Sequence, residues 1–195
     1  CVVVDPKDYS LLTEQLNKDG SLSYEFRAEM SRKAFSITAQ YESNIDRYLS
    51  HGALPEKLNL SYTKFQDLRY GENPQQQSSV YLDGSSYGIL NSRIHQGKQL
   101  SYNNIMDGDA AVSCLTEFND PGCVVIKHAN PCGAAISDNI DNAFTRAIEA
   151  DKLSAFGGII ALNRECTKFI ANYLNNFFVE IIIAPAFSKG ALDIF

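Results

Sequence analysis

Between Cys123 and Ala184, short apolar runs alternate with amphipathic stretches without a break. The order is Cys123 to Lys127 strand, Ile140 to Ala150 helix, Gly158 to Leu162 strand, Thr167 to Phe177 helix and Val179 to Ala184 strand. A run that is apolar at nearly every position has both faces buried, and a helix between consecutive strands carries the chain back across the sheet. Such alternation with short connections predicts parallel pairing through right-handed crossovers. The expected fold class is α/β: a parallel or mixed sheet with helices on both faces.

Ahead of this block the pattern differs. Residues 1–4 predict a buried strand, followed by Asp5 as helix cap, Pro6 at the first helical position and Tyr9, Leu12 and Leu16 at helical spacing until Gly20. A longer amphipathic stripe starts at Ser21 or Ser23 and runs through Leu22, Phe26, Met30, Ala34, Ile37, Tyr41, Ile45 and Leu49 to His51-Gly52. One strand and two helices cannot bury their own apolar faces, so residues 1–52 are expected to be the tail of a domain and 53–195 the start of another. Within the second part, Leu58, Leu60 and Tyr62 alternate as in a half-buried strand, Arg69 to Pro74 forms a turn-rich loop, and Val80 to Leu82 forms a strand ending at the Asp83-Gly84 turn. A helix is expected around Asp109 to Phe118, and Ser188 to Phe195 opens a further one. The chain begins with Cys1 rather than Met and is expected to be a piece of something longer.

Composition narrows the partners. With 45% apolar and 21% charged residues the chain is an ordinary globular one. A net charge of -6 without a basic cluster argues against nucleic acid. Apolar runs of four to six residues fall far short of the ~18 that span a bilayer, and neither a signal peptide nor an anchor is read. Five cysteines, an odd number, suit a reducing cytoplasm, and three scattered His (51, 95, 128) without Cys-x-x-Cys give no metal site. His51 and His95 read as surface residues, and the aromatics along 169–178 recur at helical spacing as core residues do.

The chemistry concentrates after the strand ending at Ile126. There, Lys127-His128-Ala-Asn-Pro-Cys-Gly133 sets a fixed cation beside a group that titrates near neutral pH, which is a general base next to an oxyanion stabiliser. Position alone leaves open the alternative that Lys127 reaches solvent and His128 bonds a neighbouring loop. Arg69-Tyr70-Gly71 offers a guanidinium fork for phosphate, an aromatic ring for a heterocycle and room for close backbone approach. Ser101 to Asn104 and Ser154 to Gly158 are possible ligand walls, although neither matches a Walker loop or a dinucleotide fingerprint.

Together these segments are more specific than any one alone. Leu68-Arg-Tyr-Gly-Glu-Asn-Pro-Gln75, Gly97-Lys-Gln-Leu-Ser-Tyr-Asn-Asn-Ile105, Val125-Ile-Lys-His-Ala-Asn-Pro-Cys-Gly-Ala134, Ser154-Ala-Phe-Gly-Gly-Ile-Ile-Ala161 and Glu180-Ile-Ile-Ile-Ala-Pro185, in that order, closely resemble the bifunctional purine biosynthesis enzymes. These combine phosphoribosylaminoimidazolecarboxamide (AICAR) formyltransferase with IMP cyclohydrolase. The resemblance implies that residues 1–52 are the end of the cyclohydrolase domain and 53–195 the first part of a formyltransferase domain with a cytidine-deaminase-like fold. It implies that His128 is the proton acceptor, Lys127 the transition-state stabiliser, and Arg69 and Tyr70 holders of the AICAR nucleotide. Gly157 and Glu180 match further nucleotide-binding positions, the latter aspartate in some relatives, and Asn104 sits in a ligand-facing loop. Formyl donor, partner and setting follow in the same way: 10-formyltetrahydrofolate, a homodimer, the cytoplasm. The cyclohydrolase residues would precede Cys1 and the folate pocket is completed by later loops, so the chain alone is expected to turn over nothing. The rivals are an inactive structural fragment of that enzyme and a zinc deaminase. The deaminase fails on ligands, since Asn130 and Ala135 stand where Glu and Cys are needed.

Overall fold

A computed structural model describes residues 1–50, 54–84 and 88–195, which fall into two units: Cys1–Thr63 with Leu82–Gly84, and Lys64–Tyr81 with 88–195. In the first unit, the Asp5 carboxylate accepts the Lys7 N–H at 3.0 Å and opens a single 3-10 turn, Pro6–Asp8. Helix α1 (Tyr9–Asp19) follows, closed by the Gly20 amide on the Leu16 carbonyl. The Ser23 hydroxyl then takes the Phe26 N–H at 3.1 Å and starts α2 (Tyr24–Leu49). The expected stop at His51-Gly52, including His51 itself, lies outside the described residues.

Two expectations for this unit are corrected. Residues 1–4 form no strand, and Val2 is 64% exposed, because among the described residues no strand lies beside them to complete a ladder. Leu58, Leu60 and Tyr62 are likewise exposed and non-strand. The segment is tied to α2 through Asn59 instead: its side-chain Nδ2 donates to Asp46 Oδ2 at 2.8 Å, and its backbone carbonyl accepts from the Ser43 hydroxyl at 3.1 Å. Pairing begins one residue later, at β1 (Thr63–Asp67), which joins β2 (Ser79–Leu82) in a two-stranded sheet. Along the α2 stripe Phe26 and Met30 are buried, whereas Ile37, Tyr41, Ile45 and Leu49 are exposed.

The second unit is built on one four-stranded sheet. Its elements are α3 (Tyr102–Leu115), β3 (Gly122–Lys127), β4 (Asn130–Ile136), α4 (Ile140–Ala150), α5 (Lys152–Ala155), β5 (Ile159–Leu162), α6 (Lys168–Leu174), β6 (Ile181–Ile183) and α7 (Lys189–Leu192). The strand order is β4-β3-β5-β6, so β3 and β5 lie inside. Alternate side chains go to opposite faces. Cys123, Val125, Ile160 and Leu162 pack with Phe144, Ile148 and Ile170 of α4 and α6, while Val124, Ile126, Ile159 and Ala161 pack with Ala111 and Leu115 of α3. Helices on both faces thus explain the uninterrupted apolar runs.

The sheet is mixed, within the expected parallel or mixed class, but the parallel pairing predicted from the strand–helix alternation is corrected for β3. Only β5 and β6 are parallel; β3 is antiparallel to both neighbours. The missed element is β4, since Asn130-Pro131 and Cys132-Gly133 read as turns. Pro131 is tolerated because β4 is an edge strand, and the register shift beside it leaves Cys132 as a bulge. Gly133 is required by close packing: a Cβ there would lie 2.0 Å from the Ala147 carbonyl oxygen of α4. Helix α3 also starts well before the expected Asp109, because Ser101 and Asn104 form a reciprocal capping box. Of the aromatics read as core, Tyr173 and Phe177 pack inward, but Phe169 and Phe178 are 51% and 57% exposed. Among the described residues no helix is long and apolar enough to cross a membrane.

Candidate active site at the β3–β4 turn

Strand β3 delivers Lys127 and His128 to a tight turn. Register pairs Lys127 with Asn130, so His128 and Ala129 are the two central residues of a hairpin loop. Their φ values are 52° and 58°, the left-handed conformation that a two-residue hairpin with right-twisted strands demands. Neither residue is glycine, and each pays about 1–2 kcal/mol for its Cβ in that region. Two polar contacts hold the turn: the Ala129 N–H donates to Asp107 Oδ1 of α3 at 2.7 Å, and Asn130 Nδ2 donates to the His128 carbonyl at 2.9 Å. The His128 side chain is exposed.

Lys127 Nζ donates to the Phe156 carbonyl at 2.8 Å. The next residue, Gly157, has φ 69°, and a Cβ there would lie 3.1 Å from that ammonium, so glycine is needed both for the backbone and for the space. Phe156 and Phe178, each more than half exposed, stand beside it with ring centroids 5.7 Å apart.

A second cluster adjoins the first. Asn104 Nδ2 donates to Glu180 Oε2 at 2.5 Å, and Arg69 Nη2 donates to Asn104 Oδ1 at 3.5 Å. The Arg69 guanidinium lies 5.5 Å from the Tyr70 ring centroid. The clusters are joined through backbone, because the Glu180 amide bonds the Gly158 carbonyl and the Gly157 amide bonds the Phe178 carbonyl. Lys127, His128 and Gly157 therefore share one end of the sheet with Arg69, Tyr70, Asn104 and Glu180. That end is the carboxyl end of β3 but the amino end of β5 and β6. Of these three strands, only β3 presents its carboxyl end here.

Asn104 is in the first turn of α3 rather than in a loop, and is buried. His95 is exposed, its ring tilted against Phe187 at 5.5 Å. Sequence reasoning missed Asp107. Its spacing of three from Asn104 puts both on one face of α3, but only the hairpin reveals what that face meets. Cys132, bulged beside the site, is half-buried, and burial pushes its thiol up. Among the described residues no group of three or more His, Cys, Asp or Glu gathers for a metal.

Comparison with known proteins adds an independent line. A family model described as AICARFT/IMPCHase bienzyme matches residues 1–195. The bifunctional purine biosynthesis protein PurH of Fusobacterium nucleatum is 44% identical over 194 residues, covering 99% of this chain and 38% of that protein. The proteins of the same name from Bacillus subtilis and Lactococcus lactis are 47% and 46% identical, each over 99% of this chain and 39% of their own length. The chain thus spans less than two fifths of the curated relatives it matches. With the family model matched from end to end and relatives at these identities, the chain belongs to the AICARFT/IMPCHase bienzyme family.

Proposed function

We propose that the β3–β4 turn and the loops around it form the formyl-transfer half of a purine-synthesising enzyme, in which 10-formyltetrahydrofolate gives its formyl group to the 5-amino group of AICAR. The observation that supports this best is the convergence of Lys127, His128 and Gly157 with the Arg69–Asn104–Glu180 chain on one end of one sheet. Residues 1–52 are, in this reading, the end of a cyclohydrolase domain, and 53–195 the beginning of a formyltransferase domain with a cytidine-deaminase-like fold, for which the mixed sheet between two helical layers is the support.

The 5-amino group of AICAR is a poor nucleophile because its lone pair is delocalised into the ring and the carboxamide. As its nitrogen bonds the formyl carbon, His128 takes the amine proton, the carbon–nitrogen bond to the folate breaks, and that proton passes from His128 to the departing folate nitrogen. Charge that builds on the formyl oxygen meets the Lys127 ammonium, a contribution of about 3 kcal/mol for one well-placed donor. Arg69, Tyr70 and Glu180 hold the nucleotide, with Asn104 bridging Arg69 and Glu180. The exposed faces of Phe156 and Phe178 suit the flat aromatic body of the donor. The intact protein acts as a homodimer that also cyclises the product to IMP, and the present chain alone turns over nothing.

The test uses a polypeptide of the relatives' full length that includes this chain. His128→Ala and Lys127→Ala are expected to abolish formyl transfer while cyclisation of supplied formylated product continues. Equal loss of both activities refutes the assignment.

A further inference from the structure

We propose that Asp107 is a positioning residue for formyl transfer: by accepting the Ala129 N–H it clamps the left-handed, glycine-free turn that aims His128. This rests on the reading of His128 as proton acceptor. In a two-residue hairpin the ladder is completed by the flanking residues, here Lys127 and Asn130, and the amides of the two central residues have no partner within the turn. The Asp107 carboxylate, on half-buried ground in α3, takes one of them at 2.7 Å. The contact matters because the turn opposes its own side chains. His128 and Ala129 sit at φ 52° and 58°, where a Cβ is disfavoured, so such a turn persists only when its surroundings over-determine it. The sign of φ at His128 sets the direction in which its Cβ leaves the backbone, and relaxation to ordinary negative φ would swing the imidazole away. Asn130 Nδ2 secures the turn on the His128 carbonyl, and Asp107 secures it on the opposite side. The same helix carries Asn104 one turn earlier, so α3 ties the proton acceptor and the Arg69–Glu180 chain to one rigid support.

The test again uses a full-length polypeptide that includes this chain, with formyl transfer and cyclisation measured separately. Asp107→Ala is expected to lower kcat for formyl transfer by ~10–100-fold, with KM for AICAR nearly unchanged and cyclisation intact, as for other supports one step behind a reacting group. Asp107→Asn keeps an acceptor oxygen in place and should retain most of the activity. Adding Ala129→Gly to Asp107→Ala removes the steric opposition at that position and should recover much of the lost kcat. An unchanged kcat in Asp107→Ala overturns the proposal, as does a loss that appears equally in cyclisation. A loss that neither Asp107→Asn nor the Ala129→Gly pairing mitigates overturns it too. Active His128→Ala would instead overturn the underlying reading, whereas inactive His128→Ala beside fully active Asp107→Ala sinks the clamp alone.

Discussion

The sheet of the second unit and helix α2 of the first both carry strong apolar patterns, yet they end differently. On the sheet each apolar position of β3 and β5 meets a helix, with α3 on one face and α4 and α6 on the other. On α2, only Phe26 and Met30 of the expected stripe are fully buried, and Ile37, Tyr41 and Leu49 are left exposed by the described chain. Periodicity states that a face wants cover. It does not state which segment supplies it, and a chain that carries both partners can be read where one that carries a single partner cannot.

That contrast can be broken by substitution. The largest effect is expected at Gly133: valine there drives its side chain into the Ala147 carbonyl, and the second unit should lose its cooperative unfolding transition by circular dichroism. Thiol labelling reports the same event, because burial pushes the Cys166 thiol up to about 12 and raises that of Cys123 as well. A raised pKa keeps a thiol protonated at pH 8, so in the native fold both resist alkylation while exposed Cys1 reacts, and in the Gly133 variant all should react. Next, Phe144→Ala, in the middle of the larger cluster, should cost about 3–5 kcal/mol in urea unfolding. A smaller loss, about 1–3 kcal/mol, is expected for Lys33→Ala, which strips the partner from the largely buried Asp8 carboxylate, one oxygen of which is already without a hydrogen bond. Smallest is Phe35→Ala on the open side of α2, 74% exposed, at no more than about 0.5 kcal/mol. Should Phe35→Ala cost as much as Phe144→Ala, the distinction between a covered and an uncovered face fails.

The same contrast explains what could be read in advance. Helix α4 runs over Ile140–Ala150 as expected, since Asn139 caps it and Ile140, Ala143, Phe144, Ala147 and Ile148 are buried in the core against the sheet. Strand direction was illegible, because a buried strand reads alike whichever way it runs. The turn that reverses β3 into β4 lacks the glycine by which such turns are usually recognised, and Pro131 disguised the returning strand. Lys127 and His128 stood out by following an apolar run, and Arg69 and Tyr70 by their chemistry. Asp107 had no such signal: its role depends on an amide left free by a turn that the sequence did not announce.

Asn104 has a consequence for thermodynamics. Its side chain closes the cap of α3 and also links Arg69 to Glu180, so, if this cluster holds the nucleotide as proposed, one amide group is shared between helix fraying and ligand geometry. Occupancy at Arg69 and the order of the first turn of α3 are therefore linked quantities, each shifting the other by the same free energy. In hydrogen exchange that coupling would show as slower exchange of the Asn104 and Ile105 amides on nucleotide binding. Evolution could then not loosen one without paying in the other.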